Sequence, residues 1–135
     1  MCIRDSYKDF GWAAARLDDL VNWPAARLTA GLTALCAPLV GGTPAATWRI
    51  VRRDAAAHPS PNAGRAEAAF AGALGVRLGG PLAYDGVAES RPCIGDGPAP
   101  GADDLRRATR LSLAVGIAAT LACAVIARTP WRPRG

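Results

Sequence analysis

Leu111-Ser112-Leu113-Ala114-Val115-Gly116-Ile117-Ala118-Ala119-Thr120-Leu121-Ala122-Cys123-Ala124-Val125-Ile126-Ala127 is the stretch that decides the fold, because it holds no charge from end to end. Its length meets the lower limit of roughly 17 residues for a helix that crosses ~30 Å of hydrocarbon. Asp103 and Asp104 open the helix, where carboxylates suit the positive end of the helix dipole, and Arg106, Arg107 and Arg110 precede the run. Arg128, Trp131, Arg132 and Arg134 follow as interfacial anchors, so residues 128–135 read as a basic tail. Arginines stand at both ends, which leaves the orientation of the span open.

Working outward, the composition agrees with a membrane protein. The 135 residues are 50% apolar and 20% charged, with 15 Gly and 11 Pro, which allows one domain-sized unit and excludes a stand-alone multi-domain enzyme. Mean hydropathy is +0.11 despite the charges, so apolar residues are concentrated in stretches that alternate with polar loops. The net charge is +5, but Lys8 is the only lysine and the arginines are scattered along the chain, so nucleic acid is not an expected partner.

A second apolar stretch, residues 25–46, carries only Arg27 near its start and has Trp23 and Trp48 at its ends, which points to a membrane-embedded helix or helix pair. Pro38, Gly41, Gly42 and Pro44 count against an unbroken helix there, and a buried soluble helix is the alternative. Between the two apolar stretches lies a polar segment, residues 49–101. It begins with Arg49, Arg52 and Arg53, a cluster of the kind that faces the cytoplasm. His58-Pro59-Ser60-Pro61-Asn62-Ala63-Gly64 is a rigid turn, and Arg65 to Gly75 an Ala-rich helix whose small residues, Ala68/Gly72 and Ala71/Gly75, permit close helix contact. The run Gly75-Val76-Arg77-Leu78-Gly79-Gly80-Pro81 bends sharply or approaches a ligand, and a Gly/Pro-rich loop continues to about Gly101. Upstream, residues 7–22 read as a helix with Leu17, Leu20 and Val21 on one side and Asp18, Asp19 and Asn22 on another. Met1 to Ser6 can be encoded by ATG-TGT-ATA-AGA-GAC-AGN, which looks like the transposon-end adapter of a sequencing library. On that reading residues 1–6 say nothing about the fold, and the chain is the C-terminal part of a longer protein.

Familiar catalytic templates are missing: the sequence has no GxxxxGK[ST], GxSxG or HExxH, and its single histidine excludes a His-rich metal site. Cys2, Cys36, Cys93 and Cys123 form no CxxC pair, so neither a zinc ribbon nor a redox motif is present. Chemistry-bearing residues concentrate instead between His58 and Gly86, where His58, Ser60, Asn62, Glu67, Arg77 and Tyr84 fall close together.

The residues Phe10-Gly11-Trp12-Ala13-Ala14-Ala15-Arg16-Leu17-Asp18-Asp19-Leu20, Pro24-Ala25-Ala26-Arg27-Leu28-Thr29, His58-Pro59-Ser60-Pro61-Asn62-Ala63-Gly64, Glu67-Ala68-Ala69 and Ala71-Gly72-Ala73-Leu74-Gly75-Val76-Arg77-Leu78-Gly79-Gly80-Pro81 occur in an order and spacing that resembles the CobD/CbiB family of cobalamin-biosynthesis membrane proteins, the adenosylcobinamide-phosphate synthases. The resemblance runs from Tyr7 to about Leu113. It departs at Arg65-Ala66, where the family usually has an aromatic residue and Pro, at Phe70, where Met is usual, and at Leu82-Ala83, where a more polar or aromatic pair is usual.

The resemblance implies an all-α, multi-pass inner-membrane protein with a Gly/Pro-rich polar loop between spans. The reaction it implies is amide ligation of the corrinoid adenosylcobyric acid with aminopropanol or aminopropanol phosphate, with ATP and Mg²⁺ as cofactors. The lipid bilayer and other corrinoid-assembly membrane proteins are the partners the resemblance implies. Within this frame His58 and Glu67 are the candidate catalytic residues, as general base or acid toward the attacking amine. Ser60, Asn62, Arg77, Gly79, Gly80, Arg16 and Arg27 are the candidate substrate-binding set, with Arg77 and the glycine amides suited to an anion. Asp18, Asp19 and Asn22 offer hard oxygen ligands to Mg²⁺. Each has a plainer reading: surface acids paired with Arg16 or Arg27, a turn histidine before Pro59, N-caps at Ser60 and Asn62, and a snorkelling Arg77. A non-catalytic membrane scaffold is the alternative function.

Overall fold

In the computed structural model the described residues are 11–84 and 87–128, with side chains described outside 81–91. The leader 1–6, the helix start before Gly11 and the tail beyond Arg128 lie outside them. The elements are helices α1 (Trp12–Val21), α2 (Trp23–Cys36), α3 (Pro44–Asp54) and α4 (Ala63–Leu74), strands β1 (Leu78–Tyr84) and β2 (Val87–Ile94), and helix α5 (Ala102–Arg128).

The stretch 25–46 is not one span. α2 stops at Cys36, a 3-10 turn covers Ala37–Val40, and α3 begins at Pro44. Pro38 cannot donate to the α-helical ladder, and Gly41 takes φ 81°, a left-handed conformation that ends the turn. Thr43 then caps α3 by accepting a hydrogen bond from the Ala46 amide at 3.2 Å, with Pro44 in the first turn, where its missing N–H costs nothing. Among the described helices only α5 is long and apolar enough to cross a membrane, with a mean hydropathy of 2.0 over its best window, and it is mostly exposed.

α3 and α4 pack through small residues. Thr47, Ile50, Val51 and Asp54 form the buried face of α3, and a Cβ on Gly72 of α4 would meet Thr47 Cα at 2.7 Å, so the expected close contact at Ala68 and Gly72 is present. Gly75, by contrast, is the left-handed cap of α4 and makes no helix contact. The apolar core falls into two clusters. One joins Ala30, Ile50, Val51, Ala55, Ala68, Ala69, Ala71 and Ile94; the other joins Ala37, Val40, Ala73, Leu74, Val76, Leu111 and Val115. The start of α5 is therefore a core element, and it is pinned by Arg107, whose Nε and Nη2 donate to the Val40 carbonyl at 3.1 and 2.7 Å while Nη1 pairs with Asp104 at 2.7 Å. α1 buries none of its residues, and Leu17, Leu20 and Val21 remain exposed.

The fold is mostly helical but not all-α. Where a Gly/Pro-rich loop is expected from Pro81 onward, β1 and β2 form an antiparallel pair, Tyr84 opposite Val87 and Leu78 opposite Ile94. Both strands of a two-stranded ribbon are edges, so each has a side on which a proline's missing N–H breaks no ladder bond, which is why Pro81 and Pro92 are tolerated.

Candidate functional site

The rigid turn before α4 builds the densest polar cluster. α3 ends at Asp54, the 3-10 turn Ala55–Ala57 follows, and the chain leaves it extended at His58 (φ −79°, ψ 139°). A Cβ on Gly64 would run into the Ala55 carbonyl oxygen and His58 Cβ, so only glycine lets the first turn of α4 lie against His58. This contact orients the imidazole: the Ser60 amide donates to Nδ1 at 3.0 Å, and Nε2 faces Glu67 Oε1 at 3.5 Å. The neutral ring thus carries its proton on Nε2, toward the carboxylate. The charged ring also finds partners, because the Ser60 carbonyl lies 3.1 Å from Nδ1 and accepts from it when protonated. The His58 side chain is only 15% exposed and that of Glu67 45%, so Glu67 is the member of the pair open to a substrate.

Asn62 ties this turn to α1. Its Nδ2 donates to the Asp19 carbonyl at 2.9 Å, and its Oδ1 is buried without a hydrogen-bond partner. Asn62 occupies the N-cap position of α4 but makes no side-chain cap; Ser60 Oγ instead accepts from the Ala63 amide, at 3.4 Å. Arg27 and Arg65 approach the same region from α2 and α4. The Arg27 guanidinium is held below its ordinary value, first by partial burial and then by the charge of Arg65. Arg65 was not singled out from the sequence, because its significance lies in a neighbour on another helix.

The remaining sequence candidates lie elsewhere. Glu67 is followed by seven residues of helix, about 10 Å of rise, and Arg77 comes beyond that end of α4, exposed, with its backbone amide on the Pro98 carbonyl at 2.8 Å. Gly79 and Gly80, at φ 83° and 107°, form the irregularity in the β1–β2 register, and a Cβ on Gly79 would strike the Pro92 carbonyl. Their geometry is accounted for by the hairpin. Arg16 lies over the Trp12 ring at 5.4 Å and Arg27 over Trp23 at 3.5 Å, with Arg27 Nη1 also donating to the Trp23 carbonyl at 3.1 Å. Neither forms an ion pair with Asp18 or Asp19 among the described residues. Asn22 turns its amide nitrogen onto Asp18 Oδ1 at 2.9 Å, and no three His, Cys, Asp or Glu side chains converge on a cation position among the described residues. Asn22 thus donates to Asp18 within α1 and its cap.

A charged network across α3 and the hairpin exit also escaped the sequence reading. Arg53 donates through Nε and Nη2 to Asp54 and pairs through Nη1 with Asp96 Oδ1 at 2.6 Å; Arg49 Nη1 reaches Asp96 Oδ2 at 2.9 Å; and the Gly95 amide donates to Asp54 Oδ2 at 2.8 Å. Hydrogen bonds from Arg53 hold the carboxyls of Asp54 and Asp96 below the usual carboxylate range, and those two carboxylates hold Arg53 well above its ordinary value. The network locks the end of β2 to α3.

These residues make a mostly helical unit with a histidine–glutamate pair at the head of a small-residue helix, and among the described residues one helix is long and apolar enough to cross a membrane. The family model described as CobD/Cbib protein matches residues 3–112, and the chain belongs to that family. Among curated relatives, the Cobalamin biosynthesis protein CobD of Mycobacterium tuberculosis (strain ATCC 25618 / H37Rv) is 58% identical over 123 residues, which cover 90% of this chain and 39% of that protein. The proteins of the same name from Pelobacter propionicus and Synechocystis sp. are 48% and 46% identical over 90% and 72% of this chain, and 37% and 27% of their own lengths. The chain thus spans well under half of these relatives. No solved structure matches it.

Proposed function

We propose that this chain is the polar-site portion of a multi-pass inner-membrane ligase that joins adenosylcobyric acid to aminopropanol or aminopropanol phosphate in cobalamin biosynthesis. The observation that carries the reading is the His58–Glu67 pair. His58 Nε2 lies 3.5 Å from Glu67 Oε1, with the ring fixed from behind by the Ser60 amide.

Amide formation forms a carbon–nitrogen bond between an amine and an activated carboxyl carbon, expels the activating group and releases a proton from the nitrogen. Glu67, half exposed, takes that proton, and His58 Nε2, facing its carboxylate, orients it. Asn62 Oδ1 is a buried acceptor at the head of the same helix that suits a hydroxyl or N–H of the substrate. Arg27 and Arg65, two cations within electrostatic reach of each other, suit the carboxylate side of a corrin substrate. Arg77 belongs to the proposal as an outer anion contact at the far end of α4. ATP and Mg²⁺ complete it as the activating pair that a carboxylate in water requires. Asn22 is engaged with Asp18, and Gly79 and Gly80 form the hairpin irregularity, so no step is assigned through either cofactor.

The test is a chimera in which this chain replaces the matching segment of the M. tuberculosis relative, introduced into a cobalamin auxotroph blocked at aminopropanol attachment. Growth is expected from the chimera and not from its His58→Ala or Glu67→Gln forms, with membrane insertion equal in all three. Growth restored by all three alike would favour a non-catalytic scaffold.

A further inference from the structure

The face of α3 turned away from α4 carries a second assembly of polar groups. At 100° per residue, Thr47, Ile50, Val51 and Asp54 point to the core and Ala45, Trp48, Arg49, Arg52 and Arg53 point the other way. These five residues line an open groove of about 420 Å³. We propose that this groove binds the phosphoryl group of a phosphate ester, with the organic part of the ligand against Trp48.

The groove is built in graded layers. Arg53 is fully engaged, with Nε and Nη2 on Asp54 and Nη1 on Asp96, so it forms a fixed positive floor. Arg49 gives only Nη1 to Asp96, at 2.9 Å, and its side chain is 61% exposed, which leaves its other donors for a ligand. Arg52 has no carboxylate partner among the described residues; its guanidinium stands over the Trp48 ring at 5.7 Å, one helical turn away. Three guanidiniums against the two carboxylates leave one positive charge uncompensated, located at Arg52. Arg49 and Arg52 lie on the same helix face and line the same groove, and guanidinium is suited to phosphoryl oxygens because it presents paired donors in a plane. Trp48 supplies an apolar surface at the groove edge and holds Arg52 by cation–π contact, so the donor is oriented before the ligand arrives. Asp96 sets the limit of the site: it covers the Arg53 side and leaves the Arg52 side open.

The same chemistry is offered by a soluble phosphate ester and by an anionic lipid headgroup, and the measurement separates them. The 135-residue chain in neutral detergent micelles is titrated with glycerol 3-phosphate by calorimetry, and in parallel is mixed with vesicles of phosphatidylglycerol or of phosphatidylcholine and floated. Arg52→Gln is compared with Arg110→Gln, which removes the same charge from an exposed position on α5. Binding of glycerol 3-phosphate, or phosphatidylglycerol-dependent flotation, weakened about 10-fold or more by Arg52→Gln and unchanged by Arg110→Gln is the expected result, the arm that responds naming the source. Trp48→Leu is expected to weaken glycerol 3-phosphate more than inorganic phosphate. Absence of binding in both arms, or equal weakening by Arg52→Gln and Arg110→Gln, overturns the proposal.

Discussion

At the scale of single residues, Gly64 carries a strict steric requirement beside the polar turn. An added methyl has the Ala55 carbonyl and His58 Cβ in its way, and both belong to the turn that orients the imidazole. Gly64→Ala is expected to destabilise the unit by about 1–3 kcal/mol and to shift the His58 ring resonances, measured by thermal unfolding in detergent and by NMR. Gly31→Ala, where nothing lies within 4 Å, is the matched control that leaves both unchanged. Arg107→Ala removes both donors from the Val40 carbonyl and is expected to cost about 1–2 kcal/mol in the same unfolding measurement. The sequence let His58, Ser60, Asn62 and Glu67 be picked out together, because they are neighbours along the chain and their spacing around a helix start is readable. Arg65 and Arg107 were not readable in the same way: what they do depends on Arg27 and Val40, which other helices bring to them.

At the scale of elements, the lock between α3 and the hairpin exit has a pH signature. Asp54 and Asp96 are held below their ordinary values in the folded chain, so their contribution is complete above the unfolded carboxylate value, near pH 4, and is lost as pH falls through the lower folded values. The unfolding temperature is expected to be flat between pH 5 and 7 and to drop below about pH 4, and Asp54→Asn is expected to lower it at neutral pH and flatten the acid drop. An unchanged acid profile in Asp54→Asn would remove Asp54 from the lock. α5 is the other element with a decisive property. Ile117 is 54% exposed in its apolar run, and Ile117→Arg is expected to reduce carbonate-resistant membrane retention severalfold. The uncharged run of α5 was legible from composition alone. The break between α2 and α3 was signalled by Pro38, Gly41 and Pro44 but outweighed by the apolar character around them, and the hairpin was hidden because Pro and Gly mark loops unless a strand has a free edge.

At the scale of the whole molecule, the polar turn, the arginine face of α3 and the apolar helix are parts of one small unit whose core combines alanines with Ile, Val and Leu. The alanines of that core bring backbones close and bury little area each, and Ile, Val and Leu fill the rest, in keeping with family motifs that are small-residue runs punctuated by a few polar side chains. Membership of the CobD/Cbib family follows from the match over residues 3–112. The catalytic account rests on Glu67 taking a proton during amide formation. The most direct test is made on detergent-solubilised chimera with adenosylcobyric acid, aminopropanol or its phosphate, ATP and Mg²⁺, following the amide product by mass spectrometry. The account predicts product from the chimera and about 100-fold less from its Glu67→Gln form at equal protein and unchanged unfolding temperature. Equal yields from the two, or no amide from the chimera, would contradict it.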